Sequence, residues 1–314
     1  MQESAAGSER LPSIFHVSEA RAAGLTPGRL RGRRFVRLGH GIYRRHDAVF
    51  DSLAVYAAFC AANPRAHLSH TSAASAWGMW LPPSLRQAFP VHLSSTNAHG
   101  NSSEQFNVAG HWSSLPDEEL HEIGGVRIAS PAWTWTQLAG GGMTLRDLVA
   151  AGDSLLQRAD GPVRPRYVLG ANPLTSVGEL KAVIERRGRF RGKQLVLEAV
   201  SQLRHGVDSR PESILRQDLV ANGWPEPEVA HRLQTRTRIR PVELAYPGQK
   251  IAIQYEGRHH AEADQLSRDI RRDAELEEIG WITVRTDRTY FSEPDCGGFY
   301  HRLRAAFARR GGGV

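Results

Sequence analysis

The chain has 314 residues, 40% of them hydrophobic, and carries 40 Lys and Arg against 33 Asp and Glu for a net charge of +7. That length exceeds one ordinary core and suits two or three domains of about 100–150 residues. The longest apolar run, Leu53 to Ala62, is about half of the roughly 20 residues a membrane-spanning helix needs, and the polar opening MQESAAGSER is unlike a signal peptide. Two distant cysteines, Cys60 and Cys296, lack the spacing of a disulfide framework or zinc finger, so a cytoplasmic protein with no membrane partner is expected. The basic charge is uneven. Eight arginines and no acid lie between Arg21 and Arg45, and RRGRFRGK (Arg186 to Lys193) holds five cations, whereas residues 209–314 hold 17 Lys and Arg against 16 Asp and Glu. Such a split suits a protein that grips phosphates in one region and does something else in another; a solvated arginine-rich surface is the alternative.

Residues 1–50 are expected to form a winged-helix DNA-binding domain. VSEARAAG has Val17, Ala20 and Ala23 at helical spacing, with Ser18 as N-cap and Gly24 as the stop. TPGRLRGRR supplies Thr26 as the next N-cap and Pro27 at the first helical position. FVRLGHGIYRR alternates, turns at GHG and returns as a two-stranded wing. On this reading the second helix enters a major groove, and Arg29, Arg31, Arg33, Arg34 and Arg37 contact phosphates or bases. A generic helical pair with a basic surface explains the same residues.

Residues 51–165 read as a mixed α/β middle domain. SLAVYAAFCAA is an apolar helix, SHTSAASAWGMWLPP a capped helix ended by tandem proline, and VHLSS a short strand. GGVRIASPAWTWTQLAGG reads as a strand and an aromatic helix with Trp133 and Trp135 in the core, and TLRDLVAAGDSLLQR as an amphipathic helix. His70, near a helix start, reads as a capping or packing residue rather than a ligand. Residues 166–205 form a helical basic connector, two helices joined by the arginine-rich run, and a boundary is expected at RHGVDSRPES.

Residues 206–314 give a helix (PESILRQDLVANG), three strands (PEVAHRLQ, IRPVELAYP, KIAIQYEG), a charged helix (AEADQLSRDIRRDAELEEIG), a strand (WITVRT) and a closing helix (FYHRLRAAFARR). This order predicts a mixed sheet flanked by helices, and an α/β class for the chain, α+β overall. IAIQYEGRHH is the odd stretch: three apolar residues lead into Gln254 and Glu256, which alternation sets on one face, then a glycine and two histidines. Phosphodiester hydrolysis uses two or three oxygen ligands to hold a cation against the scissile phosphate. Glu243 on one strand with Gln254 and Glu256 on the next could hold Mg²⁺ or Mn²⁺, Glu212 adds a fourth oxygen side chain, and His260 is placed as a proton shuttle or phosphate donor. Plainer roles stand beside these. Glu212 can favour its helix dipole, Glu243 can pair with Arg240 or Arg258, Gln254 can bond to backbone, and His259 and His260 point apart. Asp269, Arg272 and Asp273 read as a salt-bridged face, with Arg272 and Arg285 as further phosphate candidates.

The run PES…VELAYP…KIAIQYEGRHH…RDIRRDAELEEIGWITVR resembles the very-short-patch-repair-type endonuclease-like domain, a restriction-endonuclease-fold family of the PD-(D/E)XK superfamily. VSEARAAGLTPGRLRGRRFVRLGHGIYR is similar to the winged helix of AbiEi-type antitoxins, and SHTSAASAWGMWLP resembles the segment that follows it there. The resemblance implies a restriction-endonuclease-like fold and metal-dependent cleavage of DNA. Its pattern is a helix Glu, a strand Asp, a strand Glu followed two residues later by Asp-Gly, and a His three residues past that glycine. Glu212 matches the first, and Gly257 with His260 the last. Glu243 stands where the family has Asp, Gln254 where it has Glu, and Glu256 where it has Asp. The longer arm of Glu243 displaces its oxygens, and Gln254 deletes a charge. Two functions follow: a DNA endonuclease with altered acids, or a non-enzymatic antitoxin-like regulator whose partners are DNA and a toxin or other protein.

Overall fold

The computed structural model describes residues 11–96, 105–161, 168–256 and 263–311, with the backbone alone for 263–270. Gly257, Arg258, His259 and His260 lie outside the described residues. The chain divides into two compact units, residues 1–155 with 163–201, and residues 156–162 with 202–314. The α/β class is observed, with three sheets interleaved with helices. Residues 156–162 of the segment read as the middle domain, and 202–205 of the one read as the connector, belong to the second unit.

In the first unit, β1 (Ile14–His16), α1 (Val17–Ala22), α2 (Pro27–Leu30), β2 (Phe35–Gly39) and β3 (Ile42–Arg45) form a small module with antiparallel strand order β1-β3-β2. Thr26 caps α2 through Arg29 N–H at 3.4 Å, and Gly24 ends the preceding turn at φ +79°, a conformation L residues rarely adopt. The first cap differs from expectation: His16 caps α1, because its Nδ1 engages both Ser18 Oγ (2.8 Å) and Ser18 N–H (3.3 Å) while Glu19 receives His16 N–H at 2.7 Å. Phe15, Ala20, Leu25 and Leu30 make the core of this module, with Phe35 and Tyr43 packed against it.

A five-stranded sheet completes the unit. After α3 (Ser52–Ala62), capped by Asp51, come β4 (His67–Leu68), α4 (His70–Ala76), β5 (Val91–Ser95), β6 (Val108–Trp112), β7 (Leu120–Ile123) and β8 (Val126–Ala129). Then follow α5 (Pro131–Leu138), α6 (Leu145–Asp153), α7 (Val177–Arg186) and α8 (Lys193–Gln202). The order is β6-β5-β4-β8-β7, with β5 parallel to β6 and β4 parallel to β8. Tyr56, Phe59, Leu68, Leu93, Ile128, Trp135 and Leu148 are fully buried, each large side chain contributing about 1.5–3 kcal/mol. Trp133 and Trp135 are buried as expected, and Trp135 Nε1 donates to Leu148 O at 2.9 Å.

The second unit runs α9 (Arg210–Ala221), β9 (Glu228–Gln234), β10 (Ile239–Tyr246), β11 (Ile251–Tyr255), α10 (Ala263–Glu278), β12 (Ile282–Thr286), α11 (Thr289–Ser292) and α12 (Phe299–Arg309). The sheet order is β12-β11-β10-β9: three successive strands pair antiparallel, and β12 returns parallel to β11 after α10, as a crossover helix permits. One face buries Leu244, Tyr246, Ile251 and Ile253 with Leu215, Leu219, Phe299, Leu303 and Phe307. The other buries Val242, Ala245 and Ala252 with Leu276 and Trp281. The sheet is therefore covered on both sides, which explains why KIAIQYEG opens as an unbroken apolar run.

Candidate functional site

Glu212 sits in the first turn of α9. Ser209 Oγ caps the helix by accepting Glu212 N–H at 3.4 Å, and Glu212 Oε2 accepts Asp208 N–H at 3.2 Å. The carboxyl is thus folded back over its own helix N-terminus, where the dipole favours negative charge. It is nevertheless only 6% exposed, and burial, reinforced by the charge of Glu243, pushes its pKa up to about 8.

Glu243 lies on β10 where that strand and β11 part. Their ladder ends at Leu244 with Ile253, and Tyr255 N–H donates instead to Glu243 Oε2 at 2.5 Å. Burial pushes the Glu243 carboxyl up to about 7, against the Tyr255 hydrogen bond and the charge of Arg272. On the other side of β10 the pairing passes from Val242–His231 to Leu244–Val229, and Ala230 between them takes φ +49°. A non-glycine residue held there carries strain, and such strain gathers at functional positions. The surface pairing considered for Glu243 is not what forms with Arg240, which binds Glu275 at 2.7 and 3.0 Å.

Buried polar atoms of this unit without a hydrogen-bond partner include one on Gln254 and one on Asp208. Gln254, 3% exposed, leaves its Nε2 unmatched, and half-buried Asp208 leaves Oδ1 unmatched while Oδ2 meets Arg158 at 3.2 Å. Burial raises the pKa of Asp208, and its charge in turn raises those of Glu212 and Glu243, so the three carboxyls sense one another. Glu256 departs from this set. Half-exposed, it pairs with Arg285, which also holds Asp273 through bonds of 2.9 and 2.7 Å. The expected salt-bridged face of α10 therefore reaches to β12, and Arg272 Nη2 donates to Pro241 O at 2.8 Å.

Arg29, Arg31, Arg33, Arg34 and Arg37 are all exposed. Arg29 lies on α2, Arg31 caps its C-terminus, Arg33 and Arg34 occupy the turn before β2, and Arg37 is on β2. Since α2 has four residues, it presents one turn with a basic edge rather than a long recognition helix. Arg37 donates to Gly39 O at 3.2 Å and lies 5.5 Å from the ring of exposed Phe106.

A second cluster lies in the first unit. His70 begins α4, His92 is on β5 and His111 on β6; their ligand atoms all lie within 4.8 Å, and no other three His, Cys, Asp or Glu among the described residues converge this way. Ser94 pairs with His111 and His92 with Ala109, which puts His92 and His111 on one face two residues out of step. His92 Nδ1 is 2.9 Å from His111 Nε2, and the rings of His70 and His111 stack at 3.9 Å. Burial, then the neighbouring imidazoles, pushes His70 down to about 3; burial followed by His111 takes His92 to about 4; burial lowers His111. His70 was expected to pack or cap, yet it joins a cluster. The histidines of VHLSS and VAGHW carry no sequence signal of their own, because the parallel pairing that joins those strands leaves no local mark.

No family profile matches the chain. Two curated relatives, uncharacterized proteins from two strains of Mycobacterium tuberculosis, are each 32% identical over 109 residues, 33% of this chain. The match spans 38% of the length of those relatives.

Proposed function

We propose that the chain is a DNA-binding protein whose second unit hydrolyses phosphodiester bonds with Mg²⁺ or Mn²⁺, the basic module of the first unit holding the DNA. The observation that carries this reading is the burial of Glu212 and Glu243 near the charge of Asp208, whose Oδ1 has no hydrogen-bond partner. Carboxyls taken out of water together keep protons they would otherwise release, and a hard cation among them removes that cost. Glu212, Glu243 and the amide oxygen of Gln254 would supply the oxygen ligands of such an ion. When bound, the ion offsets charge on the phosphate and lowers the pKa of a water.

The side chains divide the remaining work. Glu243, with Oε2 fixed by Tyr255 N–H, is held in place to offer its other oxygen to the ion. Arg285, opposite Gln254 in the β11–β12 register, sets a guanidinium beside the site, steadied by Asp273 and Glu256. A second reading is a regulator that binds DNA and a toxin or other protein without cutting, and it is favoured by the engagement of Glu256 with Arg285.

The test is nicking of supercoiled plasmid by the purified chain with Mg²⁺ or Mn²⁺, beside a Glu243→Ala, Glu256→Ala double variant. Cutting by the wild type and not by the variant supports the nuclease. Equal cutting by both overturns it, and DNA binding by the wild type without cutting selects the second reading.

A further inference from the structure

The histidine cluster stands apart from the proposed nuclease in both its residues and its chemistry. It borders a cavity of 550 Å³, also lined by Trp133, Gln137, Arg187, Arg189 and Arg191. Each histidine comes from a different element, and all three imidazoles are drawn from water. The backbone is strained to bring one of them there, since His70 takes φ +49° with its N–H held by Gln137 Oε1 at 3.1 Å.

We propose that His70, His92 and His111 bind a borderline divalent transition-metal ion, zinc above all, whose fourth position faces the arginine-lined cavity and takes an anionic oxygen ligand. Zinc–nitrogen bonds of about 2.0–2.1 Å in a tetrahedron separate the ligand nitrogens by about 3.3–3.4 Å. The nitrogens here lie within 4.8 Å, so small ring rotations suffice, and the ion replaces the 2.9 Å His92–His111 contact. Ser69 Oγ meets His70 Nδ1 at 3.1 Å and is itself held by Ser94 Oγ at 2.8 Å. That arrangement fixes the ring and leaves His70 Nε2 for the metal, as a supporting hydrogen bond does for ligating histidines. Three nitrogens and one open position is the donor set of a zinc site able to bind a further ligand.

The cavity wall defines that ligand's charge. Arg187 is wedged between Trp133 and Phe190, with its guanidinium 4.8 and 4.2 Å from their ring centres, and donates to Thr136 Oγ1. A cation fixed so firmly, with Arg189 and Arg191 on the same wall, suits a phosphate or carboxylate oxygen. Gly192 lets this loop approach: a Cβ there would lie 2.8 Å from the Ala139 backbone.

The experiment uses the full chain stripped of metal, titrated with zinc alone and analysed for bound metal after gel filtration. The wild type and the Glu243→Ala, Glu256→Ala variant are each expected to retain ~1 zinc per chain, and a His70→Ala, His92→Ala, His111→Ala variant to retain none. Failure of the wild type to bind zinc, or equal retention by the histidine variant, overturns the site. Should that variant misfold by circular dichroism, X-ray absorption of the zinc-loaded wild type decides: three imidazoles in the ligand shell support the proposal, and an oxygen-only shell overturns it. Inorganic phosphate then probes the fourth position, and is expected to bind the zinc-loaded chain about tenfold more tightly than the metal-free chain. Equal affinity overturns the anion assignment. Loss of nuclease activity leaves these results untouched, because the acidic site contributes no ligand.

Discussion

His70, His92 and His111 in the first unit and Glu212 and Glu243 in the second are ionisable groups withdrawn from water, and burial drives both sets toward neutrality. The consequences are opposite. A neutral imidazole offers a nitrogen lone pair, which suits the borderline metal proposed for the first cluster. A neutral carboxyl holds a proton, so the second must lose it before a hard cation can bind. One physical cause thus prepares one cluster and restrains the other, and the contrast can be broken from either side.

The largest expected effect is on catalysis. Glu243→Ala is expected to lower the Mg²⁺-dependent nicking rate on the order of a hundredfold to a thousandfold while leaving zinc retention unchanged. Plasmid assays beside metal analysis check both halves, and loss of zinc in this variant would merge the two sites. Next comes DNA binding. Replacing Arg31, Arg33 and Arg34 by alanine is expected to flatten the log–log salt dependence of affinity by about 3 and to weaken binding near 0.1 M salt on the order of a hundredfold. Fluorescence anisotropy across a salt series measures this, and an unchanged slope would remove the basic module from the interface. A smaller effect falls on the cavity wall. Gly192→Ala at φ +84° meets the Ala139 backbone and is expected to cost about 1–3 kcal/mol, read as a lower melting temperature.

The smallest effect separates the clusters by sign. Glu212 and Glu243 keep protons in the folded chain that the unfolded chain releases, so their contribution to stability is complete below about pH 4.5 and is lost as pH rises through about 7 and 8. The histidines act in reverse: stability rises with pH from their folded values of about 3 and 4 up to 6.5, and is level above. Between about pH 7 and 8 the carboxyls alone remain of these two sets, and the metal-free chain is expected to lose roughly 1 kcal/mol over that interval. Glu212→Gln is expected to flatten the fall. Calorimetry across this range that shows the same slope in the variant would contradict the assigned origin.

The elements were largely legible because their signals are local. Ser52–Ala62, Thr26 with Pro27, the GHG turn and the strand–helix order after Arg210 follow from caps, turns and alternation along the chain. The strands VAGHW and LHEI carry little local signal, since each is short and lacks a long apolar run. The acidic site was legible in part. Glu212 and Glu243 meet because α9 and β10 lie where element order puts them, whereas the turn of Glu256 toward Arg285 depends on a side-chain choice that order does not encode. The histidine cluster was hidden, since His92 and His111 are brought together by a parallel pairing of two short strands and His70 stands on a separate helix.

The most direct test of the central claim, that buried carboxyls in the second unit form a hard-cation site, is Mn²⁺ binding followed by electron paramagnetic resonance at pH 8, with the histidine cluster saturated by zinc. The wild type is expected to bind Mn²⁺, and Glu212→Gln with Glu243→Gln to lose at least about tenfold in affinity. Equal Mn²⁺ affinity in the wild type and that double variant would contradict it.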